Sequence, residues 1–213
     1  FTIVESSGST SVDESGTTDT FTVVLDAEPA SDVVLTITSG DTGEATVTST
    51  LTFTSANWDT AQTVTVTGVD DGLVDGTITS TVTVSVNDVS SDNNFDSVAD
   101  QTVSVTTTDD DVAGFTIAES SGSTSVDESG TTDTFTVVLD AQPTSDVVLS
   151  ISSADTGEAT VTSSLTFTPG NWDTAQTVTV TGVDDDIIDG TQTTTVTIAV
   201  IDAISDNAFD AVS

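Results

Sequence analysis

The chain has 213 residues with no Lys, Arg, His or Cys, and its 36 Asp and Glu give a formal charge of −36. Such a surface repels nucleic-acid phosphates and anionic lipid, and without Cys neither disulfides nor thiolate metal sites form. Divalent cations remain as the matched partners.

The apolar fraction is 35%, mostly Val, Ile, Leu and Phe in short alternating runs, so two folded domains are expected and not a disordered acidic tail. No run of about 18 apolar residues is present to span a membrane. The start, FTIVESSGST, has neither a basic end nor an apolar stretch and does not read as a signal peptide. The expectation is a piece of a longer secreted protein.

Self-similarity organises everything else. FTIVESSGSTSVDESGTTDTFTVVLDA begins at Phe1, and a near-copy begins at Phe115. Positions 1–99 and 115–213 differ at 22 places. Each unit is long enough to close its own core, unlike the shorter repeats of solenoids. Among the acids only Glu28/Gln142 and Gly72/Asp186 change between copies. The expected domains are 1–108, an acidic linker over 109–114, and 115–213.

In the first copy, alternation predicts strands near 1–5, 19–26, 33–38, 45–48, 51–54, 61–69, 78–87 and 101–107. Phe21, Val23, Leu25, Val33, Leu35, Ile37, Leu51, Phe53, Val64, Val66, Val82, Val84 and Val86 are expected to face inward. Thr on the opposite face is β-branched and favours extended backbone. Turn residues sit at the breaks, including Gly8, Gly16 and Asp75-Gly76. This pattern predicts two tandem immunoglobulin-like antiparallel β-sandwiches. Trp58 and Trp172, each in an Asn-Trp-Asp turn, are expected to cap the ends of the cores. Copy two stops at the equivalent of position 99, so the counterpart of 100–114, with its strand QTVSVTT, is missing. Either a longer array has been cut, or another molecule supplies the strand.

Two carboxylate clusters stand out. GVDDGLVDG carries Asp70, Asp71 and Asp75, and its copy GVDDDIIDG carries Asp184, Asp185, Asp186 and Asp189. Three consecutive acids, Asp109, Asp110 and Asp111, follow the last strand of copy one. The repulsion among them needs a cation from solution, and calcium takes six to eight oxygens, which two such loops at one sandwich end supply. SDNNFD has the one-three-five spacing of a calcium loop at Asp92, Asn94 and Asp96, but lacks the glycine and glutamate that complete it. There Phe95 and Phe209 are expected to plug the sandwich edge while the acids make Asx-type turns. Asp13 and Glu14, in SVDESG, are expected in an exposed turn outside the main site.

The pairing of a DD…D loop with DDDxAG, and the stretch LTFTPGNWDTAQTVTVTGVDDDIIDGTQTTTVTI, resemble the Calx-beta domain. That family occurs in tandem in sodium/calcium exchangers and large bacterial surface proteins. The resemblance implies calcium at the sandwich end that leads to the next domain. The ligands it implies in copy one are Glu5, Asp70, Asp71, Asp75, Asp109, Asp110 and Asp111, with Asp41 or Glu44 from the third-to-fourth strand connection. In copy two they are Glu119, Asp155 or Glu158, Asp184, Asp185 and Asp189, without the aspartate trio. The Asn-Trp-Asp turn and the lack of basic residues depart from the exchanger version.

Nucleophilic catalysis by Ser or Thr needs a His or Lys base, and the chain has neither, so no enzyme is expected. The leading expectation is a Ca2+-rigidified structural repeat of an extracellular bacterial adhesin stalk or fibre, whose partners are calcium and neighbouring repeats or other copies of the chain. The alternative is a filament subunit completed by strand donation between chains; a regulatory calcium sensor stands third. No Asn-x-Ser/Thr acceptor is present.

Overall fold

The computed structural model describes residues 1–188 and 190–212. The chain divides into two compact units: Phe1–Asp71 with Gly76–Asp110, and Gly72–Asp75 with Asp111–Ser213.

In the first unit the alternating Thr/Val runs become β1 (Thr2–Glu5), β2 (Thr10–Asp13), β3 (Thr18–Val24), β4 (Val33–Ser39) and β5 (Ala45–Val47). β6 (Thr50–Phe53), β7 (Gln62–Gly68), β8 (Ile78–Val86) and β9 (Gln101–Thr108) follow. They form two sheets, β1-β3-β7-β5 and β2-β9-β8-β4-β6. Period two puts one face of every strand into the core between them. Phe21, Val23, Val33, Leu35, Phe53, Val64, Val66, Val82 and Val84 are fully buried there, each contributing roughly 1.5–3 kcal/mol of apolar burial. Val86 is the exception among the expected inward residues, being half-buried. Trp58 packs against this core, as the capping expectation required.

β2 was not expected from the sequence, and it makes the one parallel pairing of the first unit, aligning Thr10 with Val105 and Asp13 with Thr108 of β9. Four residues with a single large apolar side chain, Val12, are too short for alternation to register. The partner strand lies more than ninety residues away.

The second unit contains β10 (Phe115–Glu119), β11 (Thr132–Leu139), β12 (Val147–Ser153), β13 (Ala159–Val161), β14 (Ser164–Phe167), β15 (Gln176–Gly182) and β16 (Val196–Val200). Among the described residues its sheets are β10-β11-β15-β13 and β14-β12-β16. Two local differences set it apart from the first unit. The residues 124–127 repeat the TSVD of β2 yet form no strand, and β16 spans five residues where β8 spans nine. A strand forms only where its backbone groups find a partner, and 124–127 pair with no strand among the described residues. Trp172 packs against the second core.

The SDNNFD loop of the first unit and its copy SDNAFD in the second cap the sandwiches. Asp92, itself buried, accepts hydrogen bonds from the backbone N–H groups of Ala30 at 2.7 Å, Ser31 at 3.1 Å and Asn94 at 3.0 Å. Asp206 does the same for Ser145 at 2.7 Å and Ala208 at 3.0 Å, and takes the Thr144 hydroxyl at 2.7 Å. Phe209 is fully buried and Phe95 packs against the first core, as expected. These acids are occupied with backbone donors in the Asx-type turns that the sequence suggested.

Candidate metal centre

The candidate centre lies at one end of the first sandwich, where β2 and β7 end and β5 begins. β2 carries the chain to Glu14, whose N–H donates to the Thr108 carbonyl at 3.1 Å, the last residue of β9. β7 runs antiparallel to β5, and the Val69 N–H just past it donates to the Glu44 carbonyl at 2.9 Å. Gly68 closes β7 against β2: its N–H bonds the Thr17 carbonyl at 3.0 Å, and an added Cβ would overlap the Asp13 carbonyl. Only glycine allows this approach. The effect is to bring residue 14, residue 44 and the DD loop after β7 together.

Glu14 is 1% exposed and Glu44 is 7% exposed. Glu14 and Asp71 have carboxylate oxygens within 4.8 Å of one another, and so do Glu14 and Glu44. Glu14 is therefore a buried acid flanked by two more, and its expected place in an exposed turn is corrected. Its neighbour fits that expectation better, because Asp13 is partly exposed and takes the N–H of Ser15 at 3.1 Å and its hydroxyl at 2.6 Å. These bonds, with the Ser15 hydroxyl foremost, hold the Asp13 carboxyl below its usual range. The signal that marks Glu14 is one a single strand cannot display: a long-range parallel pairing turns the residue after β2 inward.

The other predicted residues are placed as follows. Asp109 is half-buried and accepts the Gly76 N–H at 2.8 Å, so Asp75 and Asp111 lie within one and two residues of that bond along the chain. Asp70 and Asp110 are exposed. Asp41 accepts the Gly43 N–H at 3.0 Å, which turns its carboxylate to its own loop, so Glu44 is the acid of that connection set beside Glu14. Glu5 accepts the Thr10 hydroxyl at 2.8 Å and belongs to no metal-capable group among the described residues.

The second unit reproduces the frame: the Val183 N–H donates to the Glu158 carbonyl at 2.9 Å, and a Cβ on Gly182 would overlap the Asp127 carbonyl. Its acids are more open, however. Glu128 and Glu158 are half-buried, while Asp184, Asp185 and Asp186 are exposed. Asp185 accepts the Ile187 N–H at 2.8 Å, Asp155 accepts the Gly157 N–H at 2.9 Å, and Glu119 accepts the Thr124 hydroxyl at 3.2 Å. No metal-capable group of three forms in this unit among the described residues; Asp189 lies outside them. An open cavity of about 520 Å3, lined by Val126, Glu128, Glu158, Ile187 and Ile188, takes the place of the closed acidic end.

No family model matches the chain, and no curated protein matches it. Among solved structures it is similar to the calcium binding domain CBD12 of CALX1.1, at 14% identity and a TM-score of 0.36 over 93% of this chain and 80% of that one. It is also similar to domains 5-6 of the S-layer protein SbsC, at 20% identity and a TM-score of 0.32 over 97% and 93%. A third is the CupB2 chaperone of Pseudomonas aeruginosa, at 8% identity and a TM-score of 0.36 over 93% of each. Likenesses this weak carry no argument; by its own strand pairings the chain is all-β, with two mainly antiparallel sheets in each unit.

Proposed function

We propose that this chain is a calcium-binding structural repeat of a long extracellular bacterial surface protein, an adhesin stalk or fibre. The observation that carries the proposal is Glu14: a carboxylate 1% exposed with the acids of Glu44 and Asp71 beside it, in a chain without Lys, Arg or His. Two like charges about 4 to 5 Å apart repel by roughly 3–4 kcal/mol at an effective dielectric near 20, and burial disfavours the charged form further. Protonation relieves this, and so does a cation from solution. Oxygen-only donors on short loops suit calcium, which accepts irregular shells of six to eight oxygens. In this proposal Glu14, Glu44 and Asp71 hold the ion with Asp109 and Asp110. The bound ion fixes the loop after β7 to the segment after β9 and stiffens the chain there, so the segment swings when calcium is withdrawn.

Calcium titration followed by thermal unfolding tests this. Metal held only by the folded state raises its stability by about 2.7 kcal/mol at a free concentration one hundred times Kd. A rise is expected for the native chain and its loss for Glu14→Gln, which keeps the shape and removes the charge. An unfolding midpoint that ignores calcium at millimolar concentration would sink the proposal.

A further inference from the structure

The second unit takes in four residues from the loop after β7, Gly72–Asp75. Their seat is Gln142, next to the buried Ala141. The Gln142 N–H donates to the Gly72 carbonyl at 2.7 Å, and the Val74 N–H donates to the Gln142 carbonyl at 3.0 Å. Leu73 and Gln142 are thereby paired as a parallel bridge. Val74 packs against the second core, in a hollow that it lines with Ala113, Ala208 and Val212. The Gln142 side-chain amide donates to the Pro169 carbonyl at 3.3 Å.

The two residues joined by the 2.7 Å bond are also the two at which the copies differ in charge. Between positions 1–99 and 115–213 an acid is gained or lost only at Glu28/Gln142 and Gly72/Asp186. One member of each pair lies in this contact, and in both cases it is the uncharged one. The backbone does not demand glycine at 72, because its φ is not positive. Nor does space demand it, since the nearest atom to an added Cβ is on the Trp172 ring at 4.0 Å. The place has room for a side chain, so what distinguishes Gly72 from Asp186 there is the charge.

We propose that residues 72 and 142 are a charge-matching pair that sets which loop this seat accepts. A segment of the Gly-Leu-Val type, uncharged at its first residue, docks on Gln142; a segment of the Asp-Ile-Ile type, as at 186–188, is refused by a seat that carries Glu, as at position 28. Main-chain hydrogen bonds hold either segment alike and the alternate apolar side chain supplies burial, so neither discriminates. Like charges on directly paired backbone stretches do, because they oppose the pairing, and the chain has no Lys, Arg or His to offset them. A Glu at 142 also replaces the amide donor to the Pro169 carbonyl by an acceptor. Among near-identical repeats, two residues thus let a loop tell one seat from another.

Amide exchange at Val74 and Gln142 in the whole 213-residue chain reads the contact, since exchange reports local opening. The measurement is made in chelator, so its outcome is independent of the calcium reading. Gly72→Asp and Gln142→Glu each import the residue that the other copy carries in the same frame. Each single variant is expected to speed the two amides by a few-fold at most. The double variant is expected to speed them by roughly tenfold more than the product of the singles, with the β15 amides unchanged. Gly72→Asn combined with Gln142→Glu, equal in size and one charge fewer, is expected to show no such excess, and sodium chloride at about 1 M to remove most of it from the charged double. Singles that simply multiply, an excess that the asparagine variant reproduces, or an excess that salt leaves intact each overturn the proposal.

Discussion

Gly68 and Asp92 are the residues whose physics is most directly testable. Gly68 has no room for a side chain against the Asp13 carbonyl, so Gly68→Ala must push β2 off β7. Overpacking of this kind destabilises by typically 1–3 kcal/mol, and a lowered unfolding midpoint in a thermal melt is the expected result. Asp92 acts through charge: the Asn94 N–H foremost, then the N–H groups of Ser31 and Ala30, hold its carboxyl below the ordinary 3.8 despite an opposing push from burial. A group with a depressed folded-state value lends stability that is complete above the unfolded value and is lost as pH falls through the folded one. The thermal midpoint of the native chain is therefore expected to drop between about pH 5 and pH 2, and Asp92→Asn to flatten that drop. An unchanged acid limb in the variant would show that Asp92 is not among the groups responsible.

At the scale of elements, the same four residues, TSVD, are a strand at Thr10–Asp13 and no strand at 124–127. Identical local propensity gives different structure because Thr10–Asp13 pairs with β9, whereas 124–127 pair with no strand among the described residues. Amide exchange is the direct measure: Val12 and Asp13 are expected to exchange more slowly than Val126 and Asp127, since exchange reports local opening. Side-chain burial follows suit, with Val12 buried at 3% exposure and Val126 half-buried. Val12→Ala is accordingly expected to destabilise by about 2 kcal/mol and Val126→Ala by less than half of that. Equal values would mean that the edge of the second unit is closed in solution.

For the whole molecule, self-repulsion dominates. At −36 with no Lys, Arg or His the compact state works against its own charge, and screening weakens that opposition. Raising sodium chloride from low to physiological strength is therefore expected to raise the thermal midpoint even in chelator, with calcium adding a further increment at the first unit. Small-angle scattering separates the structural consequence from simple binding. A maximum dimension that differs between calcium and chelator is expected if the ion stiffens the chain near 109–111, and an identical dimension would leave calcium as a local stabiliser only.

The core was legible in the residues alone: period-two alternation of Val, Ile, Leu and Phe against Thr named Phe21, Leu35, Phe53, Val64 and Val84 as inward, and all are buried. At the acidic end, the loop after β7 and the three-aspartate run are local features that the residues display by themselves. Glu14 was not, since its burial depends on a parallel contact between β2 and β9 across some ninety residues, and no local pattern encodes a partner that distant. Composition dictated that no Lys, Arg or His side chain neutralises the acids. Which carboxylates stand close together was decided only when β2, β5 and β7 met at one end of the sandwich, because a strand's direction and depth come from its pairing and not from its own residues.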